Sequence, residues 1–107
     1  MKNKLILTLV VGLSIAIMNA CTTTTETITY SGAIENIMFS NCISCHSGAA
    51  PLGALDLSSY AAVRASTDTG NLLARINDAA APMPPSGLMS ANDIAAIQQW
   101  AADGFPQ

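Results

Sequence analysis

Residues 41–48 read NCISCHSG, and within them Cys42, Cys45 and His46 fall inside one five-residue stretch, 42–46. His46 is the sole histidine of the chain, and Cys42 and Cys45 are two of its three cysteines. Two intervening residues place the thiols about one helical turn apart, and the imidazole follows directly. This cluster limits the fold because little else in the chain can hold one together. After Ala20, 87 residues remain, of which only 22 are Leu, Ile, Val, Met or aromatic. A domain this small and thinly cored needs a disulfide, a metal or another staple. A Cys42–Cys45 bridge would close almost no loop and adds little. Composition therefore leaves room for a large apolar group at the Cys pair.

The N-terminus does not belong to that domain. Lys2 and Lys4 precede an apolar run over residues 5–18, a charged region followed by a short hydrophobic one, as in a secretory signal. The run is 14 residues long, short of the roughly 20 that cross a bilayer. Residues 1–20 are expected to be a removable signal peptide. Ala20–Cys21 resembles the processing site of bacterial lipoproteins, whose Cys is acylated and becomes the first residue, although Met18 replaces the usual Leu and Asn19 is uncommon there. The competing reading is ordinary cleavage leaving a free Cys21. An unpaired thiol outside the cell is a liability, which favours lipidation. Several acyl chains anchor a protein where one does not. Residues 22–29, TTTTETIT, are polar and low in complexity and read as a flexible tether. The expected division is signal peptide 1–20, anchor and tether 21–30, and folded domain 31–107. The expected location is periplasmic or cell-surface on a lipid anchor, and Thr22 rather than Asp after the Cys favours an outer membrane.

Both lysines leave with the signal, so Arg64 and Arg75 face seven carboxylates and the formal charge is −5. Nucleic-acid binding, which needs clustered Lys and Arg, is excluded. A basic protein partner steered by charge is permitted.

From residue 31 the pattern is helical. Ser31 is the expected N-cap, with Ile34, Ile37, Met38 and Asn41 on one stripe leading into the Cys pair. Ser58 or Ser59 is expected to cap a helix through residues 60–65 that ends before a turn at 67–70. Asn71 is expected to cap a short helix carrying Leu72, Leu73 and Ile76. Residues 81–87, APMPPSG, are not helical, because Pro82, Pro84 and Pro85 fix φ and remove backbone donors. Ser90 caps a last helix, with Asp93 as a capping-box acid; Ile94, Ile97 and Ala101 share a face, Trp100 flanks it and Gly104 stops it. No period-2 alternation is long enough for a sheet. The expected fold class is all-α, about four short helices on long loops, and loops of that length need something to hold them.

Cys-x-x-Cys-His is the attachment signal for c-type haem. The two thiols add across the haem vinyl groups as thioethers, and the next residue is aimed at the iron, for which imidazole is a good ligand. A thioredoxin-like dithiol belongs to a βαβ context that is missing here. A structural zinc site needs four ligands, and the only further thiol is Cys21. Export favours haem as well, since c-type attachment takes place outside the cytoplasm. With histidine exhausted, the sixth ligand is Met38, Met83, Met89 or an open position. Flanking prolines stiffen the loop of Met83, so its thioether is presented without a large ordering cost. Met38 reads as core and Met89 as packing beside the last helix.

These residues together resemble the class I small monohaem cytochromes c. In particular they resemble bacterial domains with C-x-x-C-H, then L-D-L-x-x-Y, then M-P-P-x-G, then a final helix with Trp and Gly. The matching positions are Cys42, Cys45 and His46; Leu55, Asp56, Leu57 and Tyr60; Met83, Pro84, Pro85 and Gly87; and Ile94, Ile97, Trp100 and Gly104. The resemblance covers residues 31–105. It implies a cytochrome c fold wrapped around one covalent haem, with first and last helices crossing beside it. It also implies Met83 as the methionine ligand and Trp100 as the aromatic residue at the crossing. Between His46 and Leu55 the segment SGAAPLGA is shorter than in longer cytochromes, which leaves open whether Pro51 supplies the carbonyl that accepts from the His46 ring. Arg75 is either a haem-propionate contact or an exposed helix charge.

The function expected is one-electron carriage between redox proteins by a His46/Met83-ligated haem c, through transient docking. No acid–base or nucleophilic apparatus accompanies the motif, so neither an enzyme nor a small-molecule substrate is expected. The alternative is a gas-binding or sensing haem domain whose sixth ligand detaches.

Overall fold

The computed structural model describes residues 24–107; the expected signal peptide 1–20 and Cys21 lie outside the described residues. The described residues are all-α, with no strand among them. A wide helical turn, Tyr30–Ile34, runs into α1, Glu35–Asn41; a 3₁₀ turn, Leu52–Ala54, precedes α2, Tyr60–Asp68; then follow α3, Leu72–Asn77, and α4, Ala91–Ala102. Among the described residues no helix is long and apolar enough to cross a membrane.

The first helical segment starts earlier than its sequence pattern predicts. Thr29, not Ser31, is the N-cap: its backbone is extended and its Oγ1 accepts the Gly32 N–H at 3.0 Å. Tyr30 is therefore core, not tether, and its N–H donates to the Pro106 carbonyl at 2.9 Å. Ser59, of the two candidates, caps α2 by accepting from Ala62 N–H. That helix runs on to Asp68 through Thr67, whose buried hydroxyl donates to the Val63 carbonyl at 2.7 Å, instead of ending before a turn at 67–70. Asn71 stands at the N-cap of α3 but makes no side-chain cap bond. Ser90 caps α4, its Oγ accepting from Asp93 N–H at 3.1 Å, and Asp93 lies in the first turn, where the helix dipole favours a negative charge.

The core is drawn from the apolar stripes of these short helices: Tyr30, Ile34, Met38, Leu57, Val63, Leu72, Ile76, Met89, Ile97 and Trp100. Met38 and Met89 are thus packing residues, as their positions imply. Trp100 is fully buried, and its ring packs against Tyr30, Tyr60 and Phe105, with centroids 6.0, 6.1 and 4.9 Å away. Its indole N–H donates to the same Pro106 carbonyl that receives Tyr30 N–H. Gly104, at φ +81, closes α4 in a Schellman arrangement: Gly104 N–H donates to Ala101 and Phe105 N–H to Trp100. Phe105 itself sits at φ +63, a conformation that costs an L-residue about 1–2 kcal/mol. The Tyr60 hydroxyl bonded to its carbonyl at 2.8 Å and the Arg64 guanidinium over its ring hold it there. The first segment, α2 and the tail after α4 are thus tied together around Trp100.

Candidate functional site

Beyond α1 the chain makes one more helical turn through the Cys pair. Cys42 N–H donates to Met38 at 2.8 Å, and His46 N–H donates to the Cys42 carbonyl at 2.9 Å. Ser47 Oγ donates to the Ile43 carbonyl at 2.6 Å and caps this turn. The His46 carbonyl accepts Leu57 N–H at 2.7 Å, so the intervening loop closes on itself. Cys42 and Cys45 are both free thiols. Cys45 is exposed, whereas burial pushes the Cys42 thiol above its ordinary pKa.

The His46 ring is oriented by backbone. Its Nδ1 lies 3.0 Å from the Leu52 carbonyl oxygen and 3.2 Å from that of Leu55. Carbonyls only accept, so Nδ1 carries a proton, and in the neutral ring Nε2 is the nitrogen with a lone pair for a ligand or metal. Pro51 does not fill this role: its carbonyl accepts Ala54 N–H at 3.0 Å, closing the turn that presents Leu52. Gly53, at φ +65, lets that turn close. Just beyond it, the Ser58 hydroxyl and N–H hold the Asp56 carboxyl below its ordinary pKa, fixing the bend into α2.

Cys42, Cys45 and His46 line a cavity of about 1030 Å³ that Met83 lines as well. Its walls include Leu57, Leu72 and Ile76 from the core, Ala62 and Ala65 from α2, and Pro84 and Pro85 from the loop carrying Met83. Apolar clefts of roughly 300–1,000 Å³ suit bound cofactors and drug-sized ligands, and this one lies at the upper end. Arg75 lies on the lining too, with its guanidinium 3.6 Å from the Asp78 carboxylate and its side chain 40% exposed. Among the described residues no three His, Cys, Asp or Glu side chains gather around a common point, so Cys42, Cys45 and His46 do not make a zinc-type cluster.

Of the residues singled out from the sequence, Cys42, Cys45, His46, Met83 and Arg75 line this one cavity, while Cys21 lies outside the described residues. The structure adds the Leu52 and Leu55 carbonyls, which no side-chain motif announces. Asp78 does not line the cavity but faces Arg75, which does, and an Asp ahead of Ala-Ala-Ala-Pro is an Asx-turn sequence. Chemically the cavity offers two thiols for covalent attachment, one imidazole nitrogen and one thioether sulfur. Comparison with known proteins returns no match: no family model, no curated protein and no solved structure aligns with the chain.

Proposed function

We propose that this chain is an exported c-type cytochrome, a one-electron carrier that holds a single haem c in this cavity. The observation that carries the reading is the lining of one apolar cavity by Cys42, Cys45, His46 and Met83, with His46 Nδ1 tied to two carbonyls.

The residues fit that group. Cys42 and Cys45 would each add a thiol across a vinyl group, sulfur to one carbon and proton to the other, so that no electrons are exchanged. His46 Nε2 is the free imidazole nitrogen, and the Met83 sulfur belongs to the same lining. Haem c, when bound, supplies a one-electron iron couple, and His/Met ligation raises its potential. Leu57, Leu72 and Ile76 exclude water from the cavity wall, which keeps the local dielectric low. Leu52 and Leu55, both exposed on the lining beside His46, offer an apolar rim for transient docking of a redox protein. The cytochrome c fold is part of the same proposal, supported by the order of the four helices and by Trp100 of α4 buried against Tyr30 of the first segment. A dithiol oxidoreductase is disfavoured, because such enzymes lower the pKa of their attacking thiol and burial raises that of Cys42.

The test is an absorbance spectrum of the purified protein in its oxidised and reduced forms. The proposal expects reversible one-electron reduction and a haemochrome that survives acid–acetone extraction. A colourless protein would falsify it.

A further inference from the structure

We propose that Asp78 is a positioning residue for Met83, acting through the backbone of the segment that joins them; this rests on the reading of Met83 as an axial ligand. Ala79, Ala80 and Ala81 are exposed and have no side chains to pack, so hydrogen bonds must give this segment its shape. Both ends converge on one acceptor. Asp78 N–H and Met83 N–H donate to the Arg75 carbonyl, at 3.4 and 3.2 Å. The middle is held by one carboxylate oxygen: Asp78 Oδ1 accepts from Ala80 N–H at 2.9 Å and from Ala81 N–H at 3.1 Å. The other oxygen, Oδ2, faces Arg75 Nη1 at 3.6 Å, which fixes the orientation of the carboxylate. Pro82 then locks φ immediately before Met83.

A thioether is a neutral, modest ligand, and it competes with any external ligand for its metal position. The fraction of molecules whose loop already presents the sulfur scales its apparent affinity directly. Asp78 raises that fraction by ordering residues 78–83 before ligation, and the ordering entropy is then not lost upon ligation. The exposed Arg75–Asp78 pair contributes little stability by itself. Its role is to aim the carboxylate at the two amides.

The test uses the full-length haem protein and two readouts: the far-red charge-transfer band of methionine-ligated ferric haem, and titration with imidazole, which displaces the thioether. Asp78→Ala is expected to bind imidazole at least about tenfold more tightly than the unsubstituted protein and to weaken the band. Asp78→Asn, whose amide oxygen still accepts from Ala80 and Ala81, is expected to change less, roughly threefold or below. Asp68→Asn, at the exposed end of α2, serves as the control for loss of a carboxylate. Should Asp78→Ala not accumulate, Asp78→Ser is expected to move both readouts in the same direction by less. An Asp78→Ala or Asp78→Ser protein that melts earlier yet binds imidazole as the unsubstituted protein does would overturn the proposal, since that is a structural role alone. An unsubstituted protein without the band overturns the ligand assignment, and this proposal with it. A band present but insensitive to Asp78 overturns this proposal only.

Discussion

His46 Nδ1 lies 3.0 Å from the carbonyl oxygen of Leu52, with Leu55 as a second acceptor at 3.2 Å. A ring nitrogen facing two acceptors must be a donor, which leaves Nε2 as the nitrogen free to bind a metal. In the reduced protein a ¹H–¹⁵N spectrum should therefore show one slowly exchanging ring proton on Nδ1. Exchange too fast to observe would contradict the paired bond.

Trp100 binds three aromatic neighbours and the Pro106 carbonyl, in a domain with few other large side chains. Trp100→Ala should cost about 3–5 kcal/mol by cavity formation, most of the stability of a small domain. Trp100→Phe should cost less, because Tyr30 N–H still satisfies the Pro106 carbonyl. Chemical denaturation of the two variants gives the order directly. Equal losses would mean that packing at this site contributes little.

The Trp100 environment also divides what the sequence made legible from what it did not. Local signals were readable: the 3.6-residue stripe of Ile34, Ile37 and Met38, the caps at Ser59 and Ser90, and the glycine stop at Gly104. Tyr30 was not, because its role depends on Pro106 at the far end of the chain, and Thr29, which caps the segment through Gly32 N–H, was not either. Nothing periodic separates Thr29 from the run of threonines before it, so the tether was expected to run one residue too far into the core. In the site, the side chains followed from Cys-x-x-Cys-His and the proline-flanked methionine. The acceptors for His46 did not, because a backbone carbonyl has no residue type; a turn with Gly53 at positive φ decides which two carbonyls face the ring.

As free thiols, Cys42 and Cys45 should differ in reactivity. Cys42 is partly buried and its pKa is raised, while Cys45 is exposed. In the chain made without its signal segment, alkylation followed by mass spectrometry should find Cys42 modified more slowly. The linkage has a definite sign. A pKa raised by folding leaves stability intact below the ordinary thiol range of about 8–9 and removes it as pH rises through the folded value. The melting temperature of that chain should thus fall on the alkaline side, and Cys42→Ser should lessen the fall, the remainder coming from the Tyr30 hydroxyl, whose pKa burial raises as well. Equal alkylation rates would contradict the burial of Cys42.

Met83 separates a carrier from a gas-binding domain. A saturated iron should leave carbon monoxide little access to the reduced protein, and Met83→Ala should bind it rapidly and completely. Rapid, complete binding by the unsubstituted protein would favour the sensing alternative. Met89→Ala should leave carbon monoxide binding unchanged and only lower stability, by about 2–5 kcal/mol, since Met89 is buried in the core.

Covalent attachment of haem at Cys42 and Cys45 would be visible in the intact mass of the protein. The protein exported by a host competent in c-type maturation should carry the added mass of one haem that acid–acetone does not remove. Cys42→Ala with Cys45→Ala should lose it. A purified chain with the mass of the polypeptide alone, or a haem that leaves with the solvent, would rule out thioether attachment at Cys42 and Cys45.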